Sequence, residues 1–204
     1  MRPESVLAVC AANVCRSPVI SFLMARELST LGAPDGSVFA SAGASARGGV
    51  AVCHTMRSRL ASQPGWSGFT EGYRSVRLAP EHIDAAELIL TATAAERGAV
   101  ALLMPSARTR TFTLLEAVAL AEHARASGAA TATLDLSAVA ELMNEQRGLV
   151  EPPRPSRWRR EEPGAVFDIP DAHTTRARHE RVLRTIEVAT SRLGAVVRAL
   201  TTAP

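Results

Sequence analysis

Four short apolar runs alternate along this 204-residue chain with longer segments whose apolar residues recur at helical spacing. The runs, typical of buried parallel strands, are residues 5–10 (SVLAVC), 37–43 (SVFASAG), 87–93 (ELILTAT) and 110–114 (RTFTL). The helices predicted after them cover residues 18–31, 50–62, 94–104 and 115–126. This alternation predicts an α/β fold, in which a four-stranded parallel sheet is flanked by helices on both faces.

The alternation stops after residue 126, and the spacing of apolar residues changes. We interpret residues 127–165 as an insertion or flap within a single domain. The pattern predicts one short helix over 137–149, while the Pro-rich, charged stretch 151–164 is typical of a loop. A last amphipathic helix is predicted over about 174–201.

Polar groups are concentrated between the first strand and the first helix, in VLAVCAANVCRSP (residues 6–18). Pro18 is suited to the first position of a helix, Ser17 to its N-cap and Gly32 to its end. The segment from Cys10 to Ser17 is therefore predicted to be a strand-to-helix turn. Backbone N–H groups converge in such a turn beside the positive end of a helix dipole, which favours a bound anion such as phosphate.

Each polar side chain of this turn has a use in phosphate chemistry. Cys10 lies at the strand end, where the positive field favours a thiolate nucleophile. Arg16 offers a bidentate pair of charge-assisted hydrogen bonds. Ser17 has a hydroxyl to donate to the sulfur, and Asn13 is a residue type that tolerates a positive φ. The predicted phosphate-binding residues are Ala11, Ala12, Asn13, Val14, Cys15, Arg16 and Ser17.

The stretch resembles the N-terminal signature of the low-molecular-weight protein tyrosine phosphatase family, V-C-x-G-N-x-C-R-S-P. Further similar segments follow in the same order as in that family: SAG (41–43), LILTAT (88–93), RTFTLLE (110–116) and FDIPDAH (167–173). The resemblance implies a phosphocysteine intermediate, catalysis without a metal, and a general acid supplied by a late loop.

The late segment FDIPDAH contains two candidates for that acid, Asp168 and Asp171. A carboxylic acid that protonates the leaving oxygen, and then acts as a base toward water, assists both steps of such a reaction. We favour Asp171, which aligns better with the family's acid. The alternative role for Asp171 is the N-cap of the last helix.

Several positions differ from the family's pattern around the expected pocket. Ala12 stands where the family usually has Gly, Ala172 and His173 replace a proline and an aromatic residue, and Tyr73 falls near a His that usually supports the phosphate loop. Arg47-Gly48 replaces part of an aromatic rim. An aromatic slot for a phenyl ring is therefore not evident from the sequence.

A different rim is available from the predicted insertion. Its cationic and aromatic side chains would form a lid over the pocket, the alternative being a solvated loop. The residues concerned are Arg154, Arg157, Trp158, Arg159 and Arg160.

The cysteines and histidines suggest no metal site. The three cysteines are too few for a disulfide framework, and the five histidines lack the spacing of zinc ligands. Cys15 is placed either to form a reversible disulfide with Cys10 or to act as an apolar plug behind the loop. Cys53 is predicted to lie in the core. We expect no cofactor.

Composition excludes several classes of protein. A chain that is 47% hydrophobic and 21% charged is not disordered as a whole. A net charge of +3 does not indicate nucleic acid as a partner, even though all 23 basic residues are Arg. No signal peptide or membrane-spanning run is evident, so we expect a cytoplasmic protein with reduced thiols.

These features together predict a phosphomonoester hydrolase that acts through a phosphocysteine. Its substrate would be a phosphorylated protein or a small phosphomonoester, and the sequence leaves the oligomeric state open. Two alternatives remain. One is an arsenate reductase coupled to a small thiol, and the other is a non-catalytic phosphate-binding domain.

Overall fold

A computed structural model describes residues 5–29, 38–129, 134–151, 165–173 and 176–201. Four parallel strands form one sheet in the order β2-β1-β3-β4. They are β1 (Ser5–Cys10), β2 (Val38–Gly43), β3 (Leu88–Thr91) and β4 (Thr111–Thr113). The helices are α1 (Arg16–Ser29), α2 (His54–Arg59), α3 (Trp66–Gly72), α4 (Pro80–Asp84), α5 (Ala94–Leu103), α6 (Leu114–Ala126), α7 (Leu136–Glu145) and α8 (Arg176–Thr201). The predicted α/β fold is confirmed.

Both faces of the sheet are covered, which explains the continuous apolar runs of the central strands. Every residue of β1 is buried. On one face, α8 packs against α1 and α6 in the larger apolar cluster, which includes Ile20 and Ile186. On the other face, a smaller cluster joins Ile83 of α4 and Val100 of α5 to the sheet.

The parallel register brings the carboxyl ends of the strands to one edge. Cys10 lies opposite Gly43 of β2, and Val9 lies opposite Thr91 of β3. Ligand sites in open parallel sheets lie at this edge, outside the strand ends. The register therefore places the segments that follow β1, β2 and β3 around one point.

The structure differs from the sequence prediction at several boundaries. Helix α1 begins at Arg16, so Ser17 lies in its first turn and does not serve as the N-cap. Helix α2 is only six residues long, and Cys53 is its N-cap residue rather than an internal position. Helix α3 was not predicted, and it follows Gly65, whose φ of 80° suits a residue without a Cβ.

The described part of the predicted insertion contains α7, shorter than the predicted helix at its carboxyl end. The Asp135 side chain accepts a 2.8 Å hydrogen bond from the backbone N–H of Ala138 and caps the helix. Helix α7 packs against α6 and α8. Residues 152–164, with the proposed lid, lie outside the described residues. Among the helices described, none is long and apolar enough to cross a membrane.

Candidate active site

The turn between β1 and α1, residues 10–17, is named here the phosphate loop. Its carbonyl groups bond to the chain after β2. Ala44 N–H donates to Cys10 O over 2.9 Å, and Ser45 N–H donates to Ala11 O over 2.8 Å. A Cβ placed on Gly43 would lie only 2.7 Å from Ala11 O, so the close approach of the two segments requires glycine there.

Asn13 holds the shape of the phosphate loop from inside. Its φ of 56° lies in the left-handed region, as the sequence suggested for Asn. The side-chain amide donates to Ser17 Oγ over 2.9 Å and to Ser41 Oγ over 3.0 Å. Its Oδ1 accepts from Val76 N–H over 2.8 Å. All the side-chain atoms of this buried amide that can form hydrogen bonds are therefore in use.

Tyr73 supports the phosphate loop from outside. Its hydroxyl donates to Asn13 O over 2.9 Å and lies 3.0 Å from Ser41 Oγ. Its ring packs against Phe69, with centroids 5.4 Å apart, so helix α3 positions it. Burial raises the pKa of Tyr73 to about 12. Tyr73 thus supports the phosphate loop near the position at which the family usually has a histidine.

The Cys10 sulfur lies buried at the bottom of the phosphate loop. It accepts a hydrogen bond from Asn13 N–H over 3.3 Å and lies 3.1 Å from Ser17 Oγ. Both groups can donate a hydrogen bond to the sulfur. Ser17 reaches the sulfur because it belongs to the first turn of α1 and is directed inward by Asn13.

Ala12 fits the phosphate loop without strain. It is exposed, and Asn13 is the non-glycine residue with positive φ in the described chain. The missing glycine at position 12 is therefore accommodated because the left-handed conformation falls on the next residue.

Arg16 connects the phosphate loop to residues 165–173, named here the late segment. One guanidinium nitrogen, Nη1, donates to Ile169 O over 2.8 Å, and Nη2 lies 3.4 Å from Asp171 Oδ2. Nη2 also lies 3.8 Å from Oε1 of Glu96, a buried carboxylate at the start of α5. Two acidic side chains therefore lie beside this buried cation.

The two candidate acids have different surroundings. Asp168 Oδ1 accepts a 2.8 Å hydrogen bond from Ala94 N–H, at the amino end of α5. Asp171 lies beside Arg16, and 52% of its side chain is exposed. It accepts from His173 N–H over 2.8 Å, while α8 begins at Arg176, so that bond forms a turn before the helix.

The charge state of Asp171 depends on that cation. Partial burial by itself raises the pKa of the carboxyl, but the His173 N–H, the Arg16 guanidinium and the two nearby histidines outweigh it. The net result is a pKa below the ordinary value for Asp.

A family model for the low molecular weight phosphotyrosine protein phosphatase matches residues 5–127. The chain belongs to the low-molecular-weight phosphotyrosine protein phosphatase family. The matched part contains all four strands and the phosphate loop, and it stops before the late segment. The chain is a cysteine-dependent phosphatase, and the arsenate reductase alternative is not favoured.

Individual similar proteins are also phosphatases. The protein-arginine-phosphatase of Geobacillus stearothermophilus is 29% identical over 117 residues, which is 57% of this chain and 72% of the relative. The tyrosine phosphatase Wzb from Escherichia coli, solved with phosphate, gives a TM-score of 0.58 at 17% identity, covering 94% of this chain and 96% of its own. The low molecular weight protein tyrosine phosphatase from T. tengcongensis gives a TM-score of 0.61 at 18% identity, and the match covers 93% of this chain and 97% of that protein. These two structural similarities show the fold alone.

Cys15 and Cys53 of the phosphatase lie close to each other, with their sulfur atoms within 4.8 Å. All three cysteines are free thiols. A hydrogen bond with Cys15 lowers the pKa of Cys53 to about 6, while the same bond and burial raise that of Cys15. Cys53 is half-buried rather than a core residue. Cys15 is buried in the larger apolar cluster, which agrees with the predicted apolar plug, and a disulfide with Cys10 stays a prediction.

Ser41, Val76 and Glu96 are also parts of the site, although none of them was predicted from the sequence. The first two bond to Asn13, and Glu96 faces Arg16. The signal for Ser41 was available, because it lies in the SAG segment at the end of β2. Nothing in the local sequence marks Glu96, which resembles any acidic residue in the first turn of a helix.

Proposed function

We propose that this phosphatase hydrolyses phosphomonoesters through a phosphocysteine on Cys10. In this proposal the phosphate loop and Arg16 bind the phosphate, and Asp171 is the acid and then the base. The observation that carries the proposal is the contact of Arg16 Nη2 with Asp171 Oδ2 over 3.4 Å, since it joins the anion site to a carboxylate. The buried Cys10 sulfur, bonded to Asn13 N–H, supports the role of nucleophile.

The reaction has two transfers. The Cys10 thiolate attacks phosphorus, the bond from phosphorus to the leaving oxygen breaks, and that oxygen takes the proton of Asp171. The resulting carboxylate then takes a proton from water, whose oxygen attacks phosphorus and releases phosphate and the thiolate. Backbone N–H groups of the phosphate loop and the Arg16 guanidinium stabilise the charge on the phosphoryl oxygens in both steps.

The lowered pKa of Asp171 favours the carboxylate, which acts as the base in the second transfer. Substrate binding favours the protonated carboxyl, which acts as the acid in the first transfer. A phosphate dianion bound to Arg16 competes with the carboxylate for the guanidinium and adds negative charge nearby. Both effects favour the protonated carboxyl, because a like charge and the loss of a cation each raise the pKa of an acid. Binding of an anion therefore increases the fraction of Asp171 that is protonated.

The proposed substrate is a phosphorylated protein or a small phosphomonoester. A second candidate is phosphoarginine in proteins, whose phosphorus–nitrogen bond is not an ester, and the name of the Geobacillus relative favours it. We further propose that the chain is one domain with an insertion at residues 127–165. We also propose a cytoplasmic location, where the three cysteines would stay reduced.

The test is hydrolysis of para-nitrophenyl phosphate from about pH 5 to 8 with a chelator present, by the native chain, Cys10→Ser and Asp171→Asn. We expect turnover by the native chain and a loss of roughly 10⁴-fold or more in Cys10→Ser. Acid-quenched native enzyme should carry phosphate on Cys10. Peptides with phosphotyrosine or phosphoarginine, and a sugar phosphate, then rank the substrate classes by kcat/KM.

The outcomes separate the alternatives. Equal turnover by Cys10→Ser would contradict the phosphocysteine. Phosphate binding without turnover of any of these substrates would favour a binding domain, and thiol-dependent arsenate reduction in its place would favour the reductase.

A further inference from the structure

Two thiols and two imidazoles, one from each of four segments, meet beside the phosphate loop. Their ligand atoms all lie within 4.8 Å of one another. This thiol–imidazole cluster consists of Cys15, Cys53, His173 and His179. The two histidine rings contact each other edge to face, with centroids 5.1 Å apart.

The donor set of the cluster is that of a closed tetrahedral zinc site. Two thiolates and two imidazoles are among the combinations that structural zinc sites use. Bond lengths of about 2.3 Å to sulfur and about 2.0–2.1 Å to nitrogen place the ligand atoms of such a site roughly 3.3–3.8 Å apart. The observed limit of 4.8 Å requires only a small contraction around an ion.

Burial and accessibility also suit a bound ion. Cys15 and His179 are buried, Cys53 is half-buried and His173 is exposed. The buried ligands provide a rigid side of the site, and the exposed imidazole provides an entry for the ion. Carboxylates are absent from this donor set, and sulfur with imidazole nitrogen selects zinc-class ions over magnesium or calcium.

We propose that the thiol–imidazole cluster binds one divalent cation of the zinc class. Each thiol loses a proton to the solvent when it binds, and the ion with two thiolates and two neutral imidazoles carries no net charge. A neutral site beside Arg16 leaves the positive field of the phosphate loop intact. The ion is structural in this proposal and takes no part in the phosphoryl transfer.

The position of the ligands tells what the ion would hold together. Cys15 belongs to the phosphate loop and directly precedes Arg16, while His173 is two residues after Asp171. Cys53 is the N-cap residue of α2, and His179 lies near the start of α8. The ion would therefore link the late segment to the phosphate loop and restrict the movement of Asp171, the proposed acid.

The test measures binding to the full chain, reduced and freed of metal, and does not depend on activity. Zn²⁺ is titrated in competition with a chromophoric chelator, and Co²⁺ is followed by its visible absorption. We expect one equivalent to bind, with intense Co²⁺ bands of tetrahedral geometry and a thiolate charge-transfer band. Zn²⁺ should also raise Tm in a concentration-dependent way.

The variants Cys53→Ser and His173→Asn each remove one ligand. They should weaken Zn²⁺ binding by roughly 100-fold or more. His54→Gln is the matched control, because His54 is exposed and adjacent to Cys53 but outside the cluster. It should bind Zn²⁺ and gain Tm as the native chain does. Cys10→Ser should also retain the affinity.

Three results would overturn the proposal. One is less than a tenth of an equivalent of Zn²⁺ bound to the reduced native chain. Another is unchanged affinity in Cys53→Ser together with loss in Cys10→Ser, which would place the ion on the catalytic thiol. The third is a disulfide between Cys15 and Cys53 that persists under reducing conditions and blocks binding. None of them bears on hydrolysis in the presence of a chelator, so the two proposals fail separately.

Discussion

The two sides of the active site are built differently. The phosphate loop is mostly buried and accepts hydrogen bonds from several elements, among them the Tyr73 hydroxyl and the backbone after β2. The late segment is held by fewer groups. Ile169 N–H donates to Ala92 O over 2.8 Å and Ile169 O accepts from Arg16, while the Asp171 side chain is half exposed.

The difference follows from the two tasks that we propose for these sides. A site that binds the transferring phosphoryl group works best when its donors are fixed before the substrate arrives. An acid that must take up and release a proton in each cycle needs water and a pKa that changes as the substrate binds. Substitutions on the two sides should therefore separate effects on binding and stability from effects on turnover.

Among the substitutions that compare the two sides, Asp171→Asn has the largest expected effect. We expect kcat to fall by roughly 10²–10⁴-fold, because an amide can neither donate nor take up the proton. The free energy of unfolding should change by less than about 0.5 kcal/mol, since this side chain is half exposed. Steady-state kinetics and urea unfolding measure these two quantities.

Asp168→Asn is the matched control for that variant. Asp168 caps α5, so the change should cost at most about 1 kcal/mol of stability and leave kcat within about twofold of the native value. A larger loss of kcat in Asp168→Asn than in Asp171→Asn would reverse the assignment of the acid.

Gly43→Ala tests the rigid side. The new Cβ would lie 2.7 Å from Ala11 O and 2.9 Å from Asn13 Cβ, so the backbone of the phosphate loop must shift. We expect a loss of about 1–3 kcal/mol in the free energy of unfolding and weaker inhibition by phosphate. Gly98→Ala is the control, because its Cβ would meet nothing within 4 Å in the middle of α5, and it should stabilise by about 0.5–1 kcal/mol. Unchanged phosphate affinity in Gly43→Ala would show that the loop is more adaptable than its contacts imply.

Tyr73→Phe removes a hydroxyl and leaves the aromatic packing of α3 in place. Asn13 O then loses a donor, which should cost about 0.5–1.5 kcal/mol of stability and lower kcat/KM by several-fold. Chemical denaturation and phosphate inhibition measure the loss. An effect confined to kcat, with phosphate affinity and stability unchanged, would contradict a supporting role.

The smallest expected effect is the raised pKa of Tyr73, which a pH titration measures. Tyr73 is the one tyrosine of the chain, so its phenolate absorbance reports a single group. The folded protein should titrate near pH 12 and the unfolded chain near pH 10. Because the folded pKa is raised, this contribution to stability is complete below pH 10 and is lost as pH rises through 12. A folded midpoint near pH 10 would mean that the hydroxyl is not buried against the loop.

Local segments of the site could be predicted from the sequence. The strand, turn and helix from Ser5 to Ser29 are continuous in the chain, so apolar spacing, Pro18 and the residue types of the turn were enough to predict them. The positive φ of Asn13 is likewise a local property. The predicted start of α1 was wrong by two positions, because Ser17 uses its hydroxyl inside the loop rather than as a cap.

Contacts between distant residues required the tertiary structure. The choice between Asp168 and Asp171 depends on which carboxylate faces α5 and which faces Arg16, and only two residues of sequence separate them. The support of the loop by Tyr73, and the meeting of Cys53 with Cys15, likewise depend on how the helices pack. Hydrophobic periodicity determines which face of an element is buried, but the register of the strands and the packing of the helices determine which polar side chains meet at the sheet edge.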